Sequence, residues 1–428
     1  MRSTATKLRD LLENLLQTDL PVRLRAWDGS EAGPPHAPTL IVHNRRAVRR
    51  LMWQPTELGL ARAYVSGDLG LEGDLYDALR RLASLLWGNS GKPGALPMRA
   101  VAADLLSLGI AGARPKPPPE EIALLGRRHS RHRDRQAISH HYDVGNDFYR
   151  IVLGAGMVYS CAYWTGDDES GGYGLGDAQR DKLDLVCRKL NLKPGMRLLD
   201  VGCGWGSLAL HAARGYGVDV VVGVTLSGEQ ADYARKQVAE AGLTAHVEIR
   251  VQDYRDVDDG PFDAIASVGM AEHVGIEPYE EYARILYAQL KPGGRLLNHQ
   301  IAALHPEPLP GRRERTFIDA YVFPDGELAP VGTTVSALER AGFEVRDVQA
   351  LREHYARTLR AWVANLEADW TMAVRLTSPG RARVWRLYMA ASAIAFEQGR
   401  IGVNQVLCVK ARRDGSSDMP ATRAGWPA

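Results

Sequence analysis

The 428-residue sequence is poor in cysteine: Cys161, Cys187, Cys203 and Cys408 are scattered along it without metal-ligand spacing. Disulfide frameworks and Cys-rich metal modules are thereby excluded, no metal site is expected, and free thiols in a reducing compartment are. Apolar runs are short. None approaches the roughly 18 residues of a membrane-crossing helix, and the N-terminus lacks the apolar core of a secretory signal. An excess of one charge is missing too, since 53 Lys and Arg against 51 Asp and Glu give a formal charge of +2. Nucleic-acid binders draw their affinity from a basic excess, so that class is excluded. What is left is a cytoplasmic enzyme long enough for two domains, each with its own core.

The chain is organised around LLDVGCGWG, residues 198–206. Leu198, Leu199 and Val201 read as a strand buried on both faces, interrupted by Asp200. Gly202, Gly204 and Gly206 then alternate with Cys203 and Trp205, and residues 207–217 read as the helix that opens from the turn. Glycines after a parallel strand let a ligand approach the backbone where a Cβ would block it. The spacing departs from the dinucleotide fingerprint and resembles the first motif of S-adenosylmethionine-dependent methyltransferases.

Around this unit strands and helices alternate. Strands are expected at 219–225, 247–253, 262–268, 295–301, 343–348 and 404–410, the last returning antiparallel, with helices at 227–242, 277–294 and about 335–341 and a mostly helical stretch from 355 to 395. That pattern predicts a seven-stranded, mostly parallel, Rossmann-like α/β sheet with helical insertions. Ahead of it, residues 1–111 read as a small α+β domain. Leu8, Leu11, Leu12, Leu15 and Leu16 fall on one helix face, which either covers that domain or touches lipid. Four prolines within 115–119 mark a semi-rigid linker over 112–134. The basic run 127–135 within it is a solvated face or a seat for anionic headgroups. The main domain is expected over 135–412 and a flexible tail over 413–428.

Ligands in such sheets bind beyond the carboxyl ends of the strands. The acid that many adenosine-binding enzymes place after the second strand is absent; Thr225 and Leu226 stand there, with Gln230 a turn later to take its role. Asp253 after the third strand is placed to accept from an adenine amine, or simply to cap. Glu272 and His273 follow the fourth strand, and His299 ends the fifth.

Together with HYDVGNDFY (141–149), YSCAYW (159–164), VTLSGEQ (224–230), GMAEHVG (269–275), YVFPDGEL (321–328) and HYARTLRAW (354–362), these motifs resemble the cyclopropane fatty acid synthase family, which includes the mycolic acid cyclopropane synthases. The resemblance spans residues 135–411, and residues 1–111 look like the lipid-binding domain of the longer synthases. It implies a class I methyltransferase fold. It also implies S-adenosylmethionine held by Tyr159, Ser160, Asp200, Gly202, Cys203, Gly204, Gly206, Thr225, Leu226, Gln230, Asp253, Tyr254 and Arg255. A bicarbonate ion is implied as general base, held by Cys161, Glu272, His299, the Ile301 backbone and Tyr355.

The implied reaction moves a methyl group to one carbon of a cis double bond, and loss of a proton from the new methyl closes a ring. Tyr142, Tyr163 and Trp164 are expected near the developing positive charge. Departures from the family are Ala271, where an aromatic is common, Gln300 for threonine, and Ser392 for a cysteine. The leading expectation is a cyclopropane-fatty-acyl-phospholipid synthase, peripheral at the inner membrane face and acting on unsaturated phospholipid acyl chains there; a homodimer is left open by the sequence. The alternatives are a relative making methyl- or methylene-branched chains, a small-molecule methyltransferase, and a lipid carrier with a degenerate enzyme domain.

Overall fold

The structure is a computed structural model. It describes all residues except 1, 17, 89–104, 111, 123–129, 143, 167–171, 305–314 and 423–428. The chain divides into two compact units: residues 1–123, 311–322 and 370–394 form one, and residues 124–310, 323–369 and 395–428 the other.

In the first unit β1 (Arg23–Arg25), β2 (Glu31–Ala32), β3 (Thr39–Val42) and β4 (Leu69–Glu72) form a sheet in the order β2-β1-β3-β4. The helix Thr4–Leu16 buries Ala5, Leu8 and Leu11 completely, packed with Leu24 and Val42. Leu8 and Leu11 therefore cover their own domain and are not available to lipid; the side chains of Leu15 and Leu16 lie outside the described residues.

The unit boundaries differ from the linker expected over 112–134. Glu121 pairs with Arg62 at 2.6 Å and with Arg315 at 3.0 Å, and the Ile122 N–H donates to the Ala320 carbonyl at 2.8 Å. Proline content reports local stiffness, but these partners bind the segment into the first unit. From Arg131 the basic run is helical, Arg131–Tyr142. Arg131 pairs with Asp256 at 2.9 Å and Arg133 with Asp325 at 2.8 Å, so the charge of these two arginines is matched inside the second unit. Arg127, Arg128 and the side chain of Arg135 lie outside the described residues. Nor is 413–422 a loose tail: Arg295 donates to the Asp418 carbonyl at 3.0 Å, and Met419 packs on the core.

The second unit holds the expected seven-stranded sheet: β5 (Arg197–Val201), β6 (Val220–Thr225), β7 (Val247–Val251), β8 (Phe262–Val268), β9 (Leu290–Ala303), β10 (Glu344–Ala350) and β11 (Ile401–Val409), in the order β10-β11-β9-β8-β5-β6-β7. β5 to β9 pair in parallel, and β11 inserts antiparallel to both β9 and β10. Successive residues point to opposite faces. Leu198, Val221, Leu297 and Leu407 join one core cluster, and Leu199, Val222, Leu296 and Val406 the other. Lys291 to Gly294, expected to end a helix, lie inside β9, and the helix stops at Ala288. No helix among the described residues is long and apolar enough to cross a membrane.

Candidate active site

The three glycines after β5 have φ of +79°, +54° and +81°, a region costly for residues with a Cβ. The amides of Gly202 and Cys203 both donate to the Val224 carbonyl at 3.0 Å, tying the turn to β6. Beyond the carboxyl ends of β5 to β8 lies a cavity of about 230 Å³. Of the residues expected to bind the cofactor, Tyr159, Gly202, Thr225, Leu226, Gln230, Asp253, Tyr254 and Arg255 line it.

Five expected residues do not line it: Ser160, Asp200, Cys203, Gly204 and Gly206. A Cβ on Gly206 would sit 3.0 Å from the Ala234 Cβ, so that glycine serves helix packing. Cys203 fills the space a side chain at Gly223 would need. Asp200 is buried, with Oδ2 unpartnered among the described residues, and burial raises its pKa to about 7 despite the Lys182 charge. Ser160 accepts from Lys182 Nζ at 2.9 Å. Gly204 has only Gln230 Nε2, at 3.9 Å, near the position of its missing Cβ.

Gln230 is buried and accepts from Thr225 Oγ1 at 2.8 Å, consistent with a polar group in place of the usual acid. Asp253 accepts from the Arg255 amide at 3.0 Å and from its guanidinium at 2.8 and 2.6 Å. Burial pushes the Asp253 pKa up, but the Arg255 bonds outweigh it and hold the carboxyl below its ordinary value. The capping reading of Asp253 is thus the one its hydrogen bonds realise.

The aromatic expectation needs correction. Tyr142 lines the cavity, with ring centroids 6.1 Å from Tyr159, 6.0 Å from Trp205 and 6.5 Å from His273, all edge-on. Tyr163 and Trp164 do not line it. Tyr163 packs against His354, and Trp164 donates to Thr358 at 3.2 Å under the Arg357 guanidinium. Trp205, Met270 and His273 also line the cavity; the place of His273 beyond the fourth strand and of Trp205 within the glycine turn is legible in the sequence, whereas the inward aim of the Trp205 and Met270 side chains is not.

At the rim, β9 outlasts β8. The ladder ends with Gly269 N–H donating to the His299 carbonyl at 2.8 Å. The next β9 amide on that side, Ile301, has no strand to meet and donates to Glu272 Oε1 at 2.8 Å. The short helix Ala271–Val274 thus sends its neighbouring side chains different ways: His273 to the cavity, Glu272 to β9. Among the described residues Glu272 Oε2 and His299 Nε2 are buried without a partner. Burial raises the Glu272 pKa to about 7, with the Ile301 amide pulling the other way. Burial, then the charges of Lys182 and Lys189, lower that of His299 to about 3.

Cys161 donates to the carbonyls of Ala162 at 3.2 Å and Leu351 at 3.7 Å, and burial pushes its thiol pKa far up, so it stays neutral. The Tyr355 amide shares the Leu351 carbonyl, and its ring packs on Phe396. Gln300 points to the opposite face of β9, where it accepts from Tyr279 and Asn298 and donates to Thr334 at 2.8 Å. It is a core residue. Ala271 is likewise buried in the core cluster around Leu199 and Val201 and does not line the cavity. Ser392 belongs to the first unit.

The Glu272 shift is measurable in stability. Between its ordinary value of 4.5 and about 7 the folded protein holds a proton that the unfolded chain releases. The carboxyl's contribution is therefore fully present at low pH and lost as pH rises through about 7. Glu272→Gln removes it, so the variant is expected to gain on wild type across that window, by about 3 kcal/mol. Thermal unfolding of both proteins at about pH 5 and about pH 8 tests this; a pH-independent difference in Tm would refute it.

A parallel sheet with a glycine turn over a cavity at its switch point is the arrangement of nucleotide-type sites in α/β folds, and the antiparallel β11 between β9 and β10 gives it the sheet of the class I S-adenosylmethionine-dependent methyltransferases. Residues 129–406 match the family described as mycolic acid cyclopropane synthetase, and the chain belongs to that family. It is 41% identical over 420 residues to a probable fatty acid methyltransferase of Pseudomonas putida, covering 97% of this chain and 98% of that one. It is 40% identical over 271 residues to the cyclopropane-fatty-acyl-phospholipid synthase of Escherichia coli, covering 62% and 66%. Among solved structures, mycolic acid cyclopropane synthase CmaA1 complexed with SAH and CTAB superposes with a TM-score of 0.60 at 36% identity, over 64% of this chain and 97% of that one. The protein is an S-adenosylmethionine-dependent methyltransferase of the cyclopropane synthase family.

Proposed function

We propose that the protein transfers a methylene group from S-adenosylmethionine to a cis double bond of a phospholipid acyl chain, closing a cyclopropane ring. The observation that carries this reading is the pair of buried, unpartnered atoms at the β9 rim, His299 Nε2 and Glu272 Oε2. One is a donor and the other an acceptor, as a hydrogen-carrying oxyanion such as bicarbonate requires. The fit is partial, because the Ile301 amide is already engaged by Glu272. His299 and Glu272 would hold the ion, which would supply a base beside the reacting carbons.

S-adenosylmethionine supplies an electrophilic methyl group on a sulfonium. The chain's own residues orient and shield. Gly202 and Gln230 line the cofactor cavity, the ring edges and faces of Tyr142, Tyr159 and Trp205 exclude water that would quench a carbocation, and Glu272 stands as proton acceptor at the rim. Proton loss from the transferred methyl carbon frees the electron pair that closes the ring.

The near full-length likeness to a fatty acid methyltransferase favours a second reading, a methyl- or methylene-branched chain. Mass spectrometry of lipids from a host expressing the protein separates the two. A chain that gains one CH2 and loses its alkene supports ring closure; one that gains CH2 and keeps an alkene supports methylene branching. A substrate at an anionic membrane surface also predicts that co-sedimentation with anionic phospholipid vesicles falls as salt is added; salt-independent binding would remove the basic run from this reading.

A further inference from the structure

His299 is held from the strand beside it. Gln405 on β11 is the direct cross-strand partner of His299, and the two share the sheet face that carries Leu297 and Leu407. Both are buried, Gln405 completely. Gln405 Nε2 lies 3.2 Å from His299 Nδ1. An amide nitrogen only donates, so Nδ1 is the acceptor, and a neutral imidazole whose Nδ1 accepts carries its single proton on Nε2. Nε2 is the ring atom left without a partner. A doubly protonated ring is disfavoured by the groups that face it: Lys182 and Lys189 on the helix Leu175–Leu190 add positive charge to the cost of burial.

We propose that Gln405 is a positioning residue that locks His299 in the Nε2–H tautomer, making it a hydrogen-bond donor at the reacting centre and removing it as a proton acceptor. With Nδ1 capped and Nε2 protonated, the ring has no lone pair to take the proton that ring closure releases. That proton must go to a group His299 helps to hold, or to Glu272. The assignment of His299 to the reacting centre rests on the function proposed above; the tautomer does not.

The test begins with the nitrogen resonances of histidine in the uniformly 15N-labelled full-length protein. His299 is expected to show a pyridine-like Nδ1 and a pyrrole-like Nε2. Gln405→Met keeps the length of the side chain and removes the donor; it is expected to mix the two tautomers and lower turnover roughly tenfold, with cofactor affinity unchanged and a fall in Tm from the buried Nδ1 left without its donor. Gln405→Glu places a carboxylate on Nδ1, which favours the charged ring, and its pH profile of kcat is expected to gain an ionisation that wild type lacks. A wild-type Nδ1–H tautomer would overturn the proposal. So would a Gln405→Met protein with an unchanged tautomer and turnover, or a Gln405→Glu profile that superposes on wild type. If Gln405→Met does not fold, the wild-type spectrum and the Gln405→Glu profile still decide. Failure of the proposed function would show instead as the absence of a modified lipid, with the spectrum unaffected.

Discussion

Glu272→Gln is expected to lower turnover by about 10²–10⁴-fold, the range of general base catalysis, with the affinity for S-adenosylmethionine little changed. The geometry makes this a clean substitution. Oε1 accepts from the Ile301 amide at 2.8 Å, and a glutamine carbonyl preserves that bond. Oε2, buried without a partner, becomes an amide NH2, so the site exchanges an acceptor for a donor and loses its charge. The cavity proposed for the cofactor is lined by the neighbouring His273 and not by Glu272, so binding is expected to be spared. Bicarbonate added to carbonate-depleted wild type should restore turnover and do less for the variant. Depleted wild-type enzyme running at full rate would exclude the ion as base and leave the proton to Glu272 itself.

The second large effect separates two glycines that look alike in sequence. Gly204→Val is expected to abolish S-adenosylmethionine binding while the fold survives. Its φ of +54° carries strain of roughly 1–3 kcal/mol for a side chain, yet only Gln230 Nε2, at 3.9 Å, faces the new Cβ. The substitution therefore acts on the cavity-lining Gln230 and on the turn. Gly206→Val adds to similar strain a Cβ 3.0 Å from that of Ala234, an overpacking cost of about 1–3 kcal/mol. A fall in Tm on the order of 10 °C is expected for it. Calorimetry and thermal unfolding of both variants check the pair; wild-type affinity in Gly204→Val, or a wild-type Tm in Gly206→Val, would reverse the assignment.

The alternating strands and helices, the glycine turn and the family motifs were legible because each is a local pattern. Apolar runs of strand length and a glycine-interrupted strand end depend on neighbours in the chain. The residues beyond β6 and β7 were placed at the cavity for the same reason: a parallel sheet puts every carboxyl end at one rim. Residues whose role depends on a partner far along the chain were not legible. Trp164 was read toward a cation, yet it is already covered by Arg357.

By itself the sequence determined the class of sheet, the place of the glycine turn and the identity of the polar residues at the rim, since composition and periodicity act through local geometry. The tertiary structure alone decided which way those residues face. Whether Gln300 joins His299 or turns into the core depends on the parity of β9, and whether the Ile301 amide meets a strand or Glu272 depends on where β8 stops. The segments 311–322 and 370–394 join the N-terminal unit through partners far apart in the chain, Arg315 with Glu121, Ser378 with Glu120 and Arg386 with Tyr64, which no local pattern records.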